Sequence, residues 1–477
     1  MLSAEVVPFA KTGGLADVAG ALPKALGALG HDVRVCMPRY QPIAPERFGL
    51  RKIIETLDVP LDVGTEQVAV YEGQIGNDVP VYFIDNAQRY GTRDQIYGYH
   101  DDGERCILFC RAALEACRYL GWRPDVIHCN DWHTGLVPNW LKTVYVKDEF
   151  FRHTASVYTI HNLAYQGVFG YRILEVAGIA DQGFVYPQIS ELAEHVDFMG
   201  RGILFADMIT TVSEQYAEEI LTPEYGEKLD PLLRERRDRL VGILNGIDVD
   251  VHNPATDPFV SHPYTASDIA GKAAQKAELQ KSSGLPVNAT TPLIGIISRL
   301  ADQKGFDILG YQIDAMLKRR VQLVLLGTGD STYHDMFTRL AARYPNIAVH
   351  LTFNAELAQT IYAGSDMFLM PSRFEPCGLG QMIAMRYGSI PIVRATGGLA
   401  DTVDDYDPAT GTGTGFVFHD YDCWELFAAV VRAQEAYRVP ATWQSLMRRA
   451  MERDFSWVRS AHRYVDVYHR AVALRTG

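Results

Sequence analysis

Much that would classify this chain of 477 residues is missing from it. No run of 18 apolar residues occurs, so no membrane-spanning helix is expected. No basic stretch leads into an apolar one at the start, so no targeting segment is seen and a cytoplasmic location is expected. No run of five Lys or Arg exists, and the formal net charge is 45 − 58 = −13. Nucleic acid and anionic membrane are therefore excluded as bulk partners. The seven cysteines form no Cys-x-x-Cys pair. Cys106, Cys110 and Cys117 sit at helical spacing in an apolar stretch and read as buried thiols in a reducing compartment. No His/Cys/Asp/Glu set has metal-ligand spacing, so no metal is expected. A G-x-S-x-G elbow is absent, which disfavours a serine hydrolase. Gly327-Thr328-Gly329 lacks the third glycine of a dinucleotide fingerprint and runs straight into Asp330, so NAD is discounted. Low-complexity tracts are also absent, and aromatics at 11% argue against disorder.

What is present is an alternation of short β-branched runs with amphipathic stretches of helical length. Strands are expected at 32–37, 79–84, 125–128, 156–160, 208–212 and 241–244. A second set is expected at 293–297, 322–326, 347–351, 367–370, 390–393 and 416–418. Several are almost continuously apolar, as strands buried on both faces are. The fold class expected is α/β, built from parallel, doubly wound sheets with helices on both sides. The two sets flank a segment near 249–292, which contains a polar helical stretch at 268–283. Two domains are expected, at 1–246 and 247–455, with a closing helix over 456–477. The hexapeptide Thr-Gly-Gly-Leu-Ala-Asp occurs twice, at 12–17 and 396–401. Either the copies share turn and helix-start chemistry, or each domain presents a Gly-Gly loop and helix N-terminus to a common cleft.

Ligands of doubly wound sheets bind beyond the carboxyl ends of the strands, so the residues after each strand carry the chemistry. Lys11, Gly13 and Gly14 form a cation beside a flexible loop that opens a helix. This is either an anion-binding loop or a turn with a surface lysine; it lacks Walker spacing. Arg299 and Lys304 follow one buried strand. They either converge on a diphosphate or pair with Asp302 and Asp307. Glu375 lies between Phe374 and Pro376, just before a helix start near Gly378. It can stabilise a cation, act as a base, bind sugar hydroxyls, or accept from nearby amides. The free amides of Cys377 to Gly380 are candidates for phosphate. Asp131, His133 and His161 follow neighbouring strands, and His128 reads as a hydrogen-bonded core histidine.

Together the motifs resemble those of the bacterial and plant glycogen/starch synthases. They are Lys11-Thr-Gly-Gly-Leu-Ala-Asp-Val, His161-Asn-Leu-Ala-Tyr-Gln-Gly, Asn245-Gly-Ile-Asp, Ser298-Arg-Leu-Ala-Asp-Gln-Lys-Gly, Pro371-Ser-Arg-Phe-Glu-Pro-Cys-Gly-Leu, Thr396-Gly-Gly-Leu-Ala-Asp-Thr-Val and Phe455-Ser-Trp. The resemblance runs from about Ser3 to about Val472. It implies a GT-B fold, with two Rossmann-like domains facing across a cleft. It also implies a retaining transfer of glucose from ADP-glucose to the non-reducing end of an α-1,4-glucan, with no cofactor or metal. By position, Lys11, Gly13 and Gly14 match the loop on the donor's phosphate and sugar, and Asp17 follows in its helix. Arg299 and Lys304 match the diphosphate cations, and Glu375 the essential carboxylate. His161 and Asn162 match groups beside the transferred glucose. Asn245, Cys377, Gly378, Leu379 and Gly380 fall on the donor side, Tyr362 near the adenine, and Asp131 in the acceptor region.

Three positions depart from the family pattern. The chain starts with fewer apolar residues before Ser3, which is expected to weaken the strand anchoring the Lys11 loop. Gly380 stands where Thr or Asn is common. Ile383 stands where many sibling retaining enzymes carry a second glutamate, which disfavours sucrose-type and mannosyl transferases. Two other classes compete with the implied activity. A non-catalytic glucan-binding relative would show decay at Lys11, His161, Arg299, Lys304 or Glu375, and all are intact. An α-glucan phosphorylase would need a pyridoxal phosphate lysine motif, and none is seen.

Overall fold

The computed structural model describes residues 1–76, 78–182 and 195–477. The chain forms two compact units, Met1–Gly246 with Trp457–Gly477, and Ile247–Ser456.

The first unit carries β1 (Val35–Pro38), β2 (Arg51–Leu61), β3 (Gly64–Ile75), β4 (Val79–Asp85), β5 (Val126–Asn130), β6 (Ala155–Ile160), β7 (Val168–Gly170), β8 (His195–Asp197), β9 (Met208–Thr211) and β10 (Leu240–Gly242). Two four-stranded runs form, ordered β1-β4-β3-β2 and β10-β9-β6-β5. Leu2 pairs in parallel with both Cys36 of β1 and Cys129 of β5, so the first residues lie between the two runs. Chain order therefore reverses at Leu2, and the segment after it and the segment after β5 leave the same edge.

The sheet is not parallel throughout, as the apolar runs had suggested. β2 and β3 form a long antiparallel hairpin, and β3 is also antiparallel to β4. Along β2, Ile54, Leu57 and Val59 are buried while Arg51, Glu55 and Asp58 are exposed. A half-solvated strand alternates, so a search for near-continuous apolar runs passes over it. The antiparallel pair β7–β8, only three residues long in each strand and part-exposed, is also missed.

The helix Trp457–Thr476 belongs to the first unit. Its stripe of Trp457, Ala461, Tyr464, Val467 and Ala471 repeats at three and four residues. It packs with Val18, Leu22 and Leu26 of the helix Gly14–Ala28 over Val157 and Met208. Full burial of Leu22 alone contributes about 1.5–3 kcal/mol. The expected core histidine, His128, is held between the Tyr468 hydroxyl at 2.8 Å and Thr159 Oγ1 at 2.6 Å. All seven cysteines are free; Cys110 is buried, while Cys106 and Cys117 are half-buried.

The second unit contains β11 (Leu293–Ile297), β12 (Gln322–Leu326), β13 (Ile347–His350), β14 (Met367–Met370), β15 (Ile390–Arg394) and β16 (Phe416–Phe418). All pair in parallel, in the order β13-β12-β11-β14-β15-β16. The chain runs outward from β11 to β13, then returns to β14 on β11's other side. The crevice beyond β11 and β14 is the binding position of such a sheet. The polar stretch at 268–283 forms the helix Ala270–Ser282, which covers the core around Leu279, Leu293, Val324 and Ile361.

Candidate active site

In the second unit the residues after β11 and β14 meet at that reversal point. Lys304 Nζ lies 2.6 Å from Glu375 Oε2, and Ser372 Oγ donates to the same oxygen at 3.0 Å. Glu375 is buried, so the two contacts hold a carboxylate out of water. Lys304 thus pairs with Glu375, while the two nearby aspartates have other partners. Asp302 accepts from the Tyr333 hydroxyl, and Asp307 pairs with Arg373. Arg299 is exposed in the same loop and donates to Gln303 Oε1 at 3.4 Å. Gln303 in turn donates to the Phe374 carbonyl at 3.3 Å, and the Arg373 amide donates to the Gln303 carbonyl at 2.8 Å. The two loops are thus laced together. Gly305 sits at φ +75°, and a Cβ there would stand 1.9 Å from the Pro371 carbonyl oxygen.

Gly378 has φ +69° in the turn between Glu375 and the helix Gly380–Arg386. Gln381 Nε2 pins this turn by donating to the Cys377 and Gly378 carbonyls at 3.1 and 2.8 Å. Leu379 caps that helix and Gly380 is its first residue. Tyr362 is buried beneath it, with its hydroxyl 3.4 Å from where a Gly380 Cβ would stand. Cys377 is a buried free thiol.

The second hexapeptide copy does not present an open loop. Gly397, at φ +43°, would put a Cβ 2.0 Å from the Glu375 carbonyl oxygen, and Gly398 one 2.0 Å from that of Cys377. The Gly398 amide donates to the Glu375 and Pro376 carbonyls at 3.1 and 3.2 Å. This copy is a buttress under the Glu375 loop. Of the two readings of the repeat, shared helix-start chemistry holds at both copies, and at this one the glycines are packed against the Glu375 loop.

In the first unit Gly13 caps the helix Gly14–Ala28 and has nothing within 4 Å of a Cβ position. Lys11 Nζ and Asp17 Oδ1 form an exposed ion pair at 2.7 Å. A hollow of about 490 Å³ lies alongside, lined by Phe9, Lys11, Thr12, Tyr40, Asp94 and Tyr97 among others.

Asp131 follows β5 with φ +54° and ψ −177°. A non-glycine residue there stores on the order of 1–3 kcal/mol of strain. Bonds from its amide to the Thr159 carbonyl, and from the Thr134 amide to its own carbonyl, hold it in place. Its carboxylate accepts from the His161 amide at 2.7 Å. Burial pushes the Asp131 carboxyl up to about 7; the His161 and Asn162 amides oppose the rise, and the nearby Glu5 charge adds to it. Burial pulls His161 down to about 3, so its ring is neutral. Asn130 Nδ2 donates to the Leu2 carbonyl, which turns Asn130 Oδ1 toward His161 Nε2 at 2.9 Å. This assigns the ring proton to Nε2. Asn162 Oδ1 accepts from the Ala164 amide in a tight turn. Asn245 Oδ1 is buried without a partner among the described residues.

Three residues that shape these sites were not singled out from the sequence. Ser372 sits inside the Pro371–Leu379 motif and Asn130 directly before Asp131, and they orient Glu375 and His161. Glu5 had no such signal. It is a buried carboxylate beneath the Lys11 loop, bonded to residues of that loop and to Tyr97. Among the described residues, no group of three or more His, Cys, Asp or Glu is placed to share a metal ion, and no helix is long and apolar enough to cross a membrane.

Comparison with known proteins gives one answer for both units. Residues 1–235 match the starch synthase catalytic domain, and residues 291–435 match glycosyl transferases group 1. The chain is 50% identical to the glycogen synthase of Desulforudis audaxviator, across 99% of this chain and 96% of that one. It is 47% identical to that of Moorella thermoacetica, across 100% and 97%. The solved catalytic domain of starch synthase IV from Arabidopsis thaliana, bound to ADP and acarbose, matches with TM-score 0.93 at 37% identity, covering 99% of this chain and 98% of that one. Sucrose-phosphate synthase from Thermosynechococcus elongatus matches at 19% identity and TM-score 0.60, a likeness of fold alone. The chain is a glycosyltransferase of GT-B fold and belongs to the glycogen/starch synthase family.

Proposed function

We propose that this enzyme transfers glucose from ADP-glucose to the non-reducing end of an α-1,4-glucan with retention of configuration. The observation that carries the reading is the Lys304–Glu375 pair at 2.6 Å, beyond β11 and β14, with Arg299 in the same loop. Two cations at that point suit a leaving diphosphate, and a buried carboxylate suits a sugar that gains positive charge. The relative solved with ADP and acarbose supports a nucleotide and an oligosaccharide as ligands.

In this reading the bond from glucose C1 to the diphosphate oxygen breaks and the bond from C1 to the acceptor's 4-oxygen forms on the same face. The proton of the 4-hydroxyl passes to the departing diphosphate. Arg299 and Lys304 take the charge that develops there, so no metal is required. Amides of Cys377, Gly378, Leu379 and Gly380 take the distal phosphate, and Tyr362 lies near the adenine. Glu375 and the His161 carbonyl offset the charge on the sugar. A neutral His161 with its proton on Nε2 adds no opposing positive charge. Lys11, Gly13 and Gly14 meet the donor's phosphate and sugar, with Asp17 placing Lys11. Asn162 and Asn245 meet the donor's hydroxyls, and Asp131 the acceptor. The enzyme acts in the cytoplasm on these two substrates.

A donor competition tests the reading. Labelled ADP-glucose and UDP-glucose are offered together with glycogen. Label entering the glucan chiefly from ADP-glucose is expected. No incorporation from either donor by folded protein contradicts the proposal.

A further inference from the structure

The first unit spends one buried carboxylate on a job that no role above covers. Glu5 is 4% exposed, and both of its oxygens accept hydrogen bonds. Oε1 accepts from Thr12 Oγ1 at 2.5 Å and from the Tyr97 hydroxyl at 2.7 Å. Oε2 accepts from the Gly13 amide at 3.1 Å and from the Thr12 amide. Three of these four donors belong to the loop between Lys11 and the helix Gly14–Ala28. We infer that Glu5 is the positioning residue that presets the Lys11–Gly14 loop for the donor. The inference rests on the reading that this loop contacts the donor.

Residues 11–14 are exposed, and two of the four are glycine. Ordering a backbone residue costs conformational entropy, and glycine has the most freedom to lose. A cation on such a loop has no fixed address unless something holds the backbone. Bonds from amides to a carboxylate are about twice as strong as neutral ones. The clamp is itself fixed: Ser3 Oγ donates to the Glu5 carbonyl at 2.6 Å and accepts from the Glu5 amide at 3.3 Å. Behind it, the Val7 amide donates to the Ala16 carbonyl at 3.1 Å, tying the segment to the helix that the loop opens. Because Glu5 takes the Thr12 and Gly13 amides, Gly13 meets the donor through its open Cα face rather than through its amide, beside the Lys11 ammonium.

The test uses the full chain and three readouts. Glu5→Gln keeps the size but turns an NH2 group toward donors. It should lower kcat with ADP-glucose at least tenfold, leave KM for glycogen within about twofold, and speed hydrogen exchange at the Thr12 and Gly13 amides at least tenfold. Thr12 is exposed, so Thr12→Val does not threaten folding. It should lower kcat/KM for ADP-glucose several-fold, and Thr12→Ser should restore it. A general packing role would not give that rescue or spare KM for glycogen. Wild-type kcat and exchange in both Glu5→Gln and Thr12→Val overturn the proposal. Should Glu5→Gln fail to fold, equal activity of Thr12→Val and Thr12→Ser overturns it. Lys11→Ala separates the two levels. If Lys11→Ala keeps full turnover, the donor-contact reading beneath the proposal fails. If it loses turnover while the Glu5 and Thr12 variants do not, only the clamp fails.

Discussion

At 12–17 the hexapeptide Thr-Gly-Gly-Leu-Ala-Asp leaves open space beside Gly13, and its backbone is pulled inward onto Glu5. At 396–401 the same six residues press Gly397 and Gly398 against the backbone of Glu375–Cys377, closer than any Cβ allows. Both copies start a helix, Gly14–Ala28 and Gly397–Thr402, from an extended cap at φ near −148°. Local sequence therefore decides that a helix starts, and tertiary surroundings decide what the start is for. One copy makes an exposed loop carrying a cation, and the other makes a shelf beneath a buried carboxylate.

The largest effects should come from the shelf and what it carries. Glu375→Gln is expected to lower turnover by about 10²–10³-fold, the size seen when one preorganised electrostatic group is removed. Gly398→Ala must shift the backbone under Glu375. It should cost about 1–3 kcal/mol of stability by overpacking and lower turnover as well. A Gly398→Ala enzyme with unchanged thermal midpoint and turnover would show that the second copy does not support Glu375.

The first copy should behave in the opposite way. Lys11→Ala is expected to lose turnover while stability changes by no more than about 1 kcal/mol, because its pair with Asp17 is exposed. A large fall in thermal midpoint would show that Lys11 is structural. Gly13→Ala meets open space at φ −148°, so its stability should stay within about 0.5 kcal/mol of the parent. A matching loss in Gly13→Ala and in Gly397→Ala, its counterpart in the second copy, would mean the copies do the same job.

A smaller effect, on stability, should appear at Asp131. Burial raises its carboxyl to about 7 from an ordinary value of 3.8. Between those values the folded chain holds a proton that the unfolded chain has released. The stability this gives is present below about pH 4 and is lost as pH rises through 7. Asp131→Asn cannot ionise, so it should gain stability relative to the parent between pH 5 and pH 8. Denaturant titrations at the two values check this; an identical difference at both contradicts it.

The parts legible in the sequence share one property. Asp131, His161, Arg299, Lys304 and Glu375 each follow an apolar strand within a few residues, and the sheet topology does the rest. The six strands of the second unit were legible because burial on both faces makes them continuously apolar. β2 and β3 were not, because one face meets water. Glu5 was not, because it sits in a short segment with no periodicity, and one of its partners, Tyr97, lies 92 residues away. The distinct job of the second hexapeptide was invisible because carbonyls at 375–377 define it, and identical residues cannot encode a different neighbour.

Proton NMR of the running reaction, with a maltooligosaccharide acceptor and ADP-glucose, reads retaining glucosyl transfer from bond broken to bond formed. A growing α-1,4 anomeric signal matched mole for mole by released ADP is expected. A β-linked product, free glucose in place of elongated chain, or intact ADP-glucose with folded protein would contradict it.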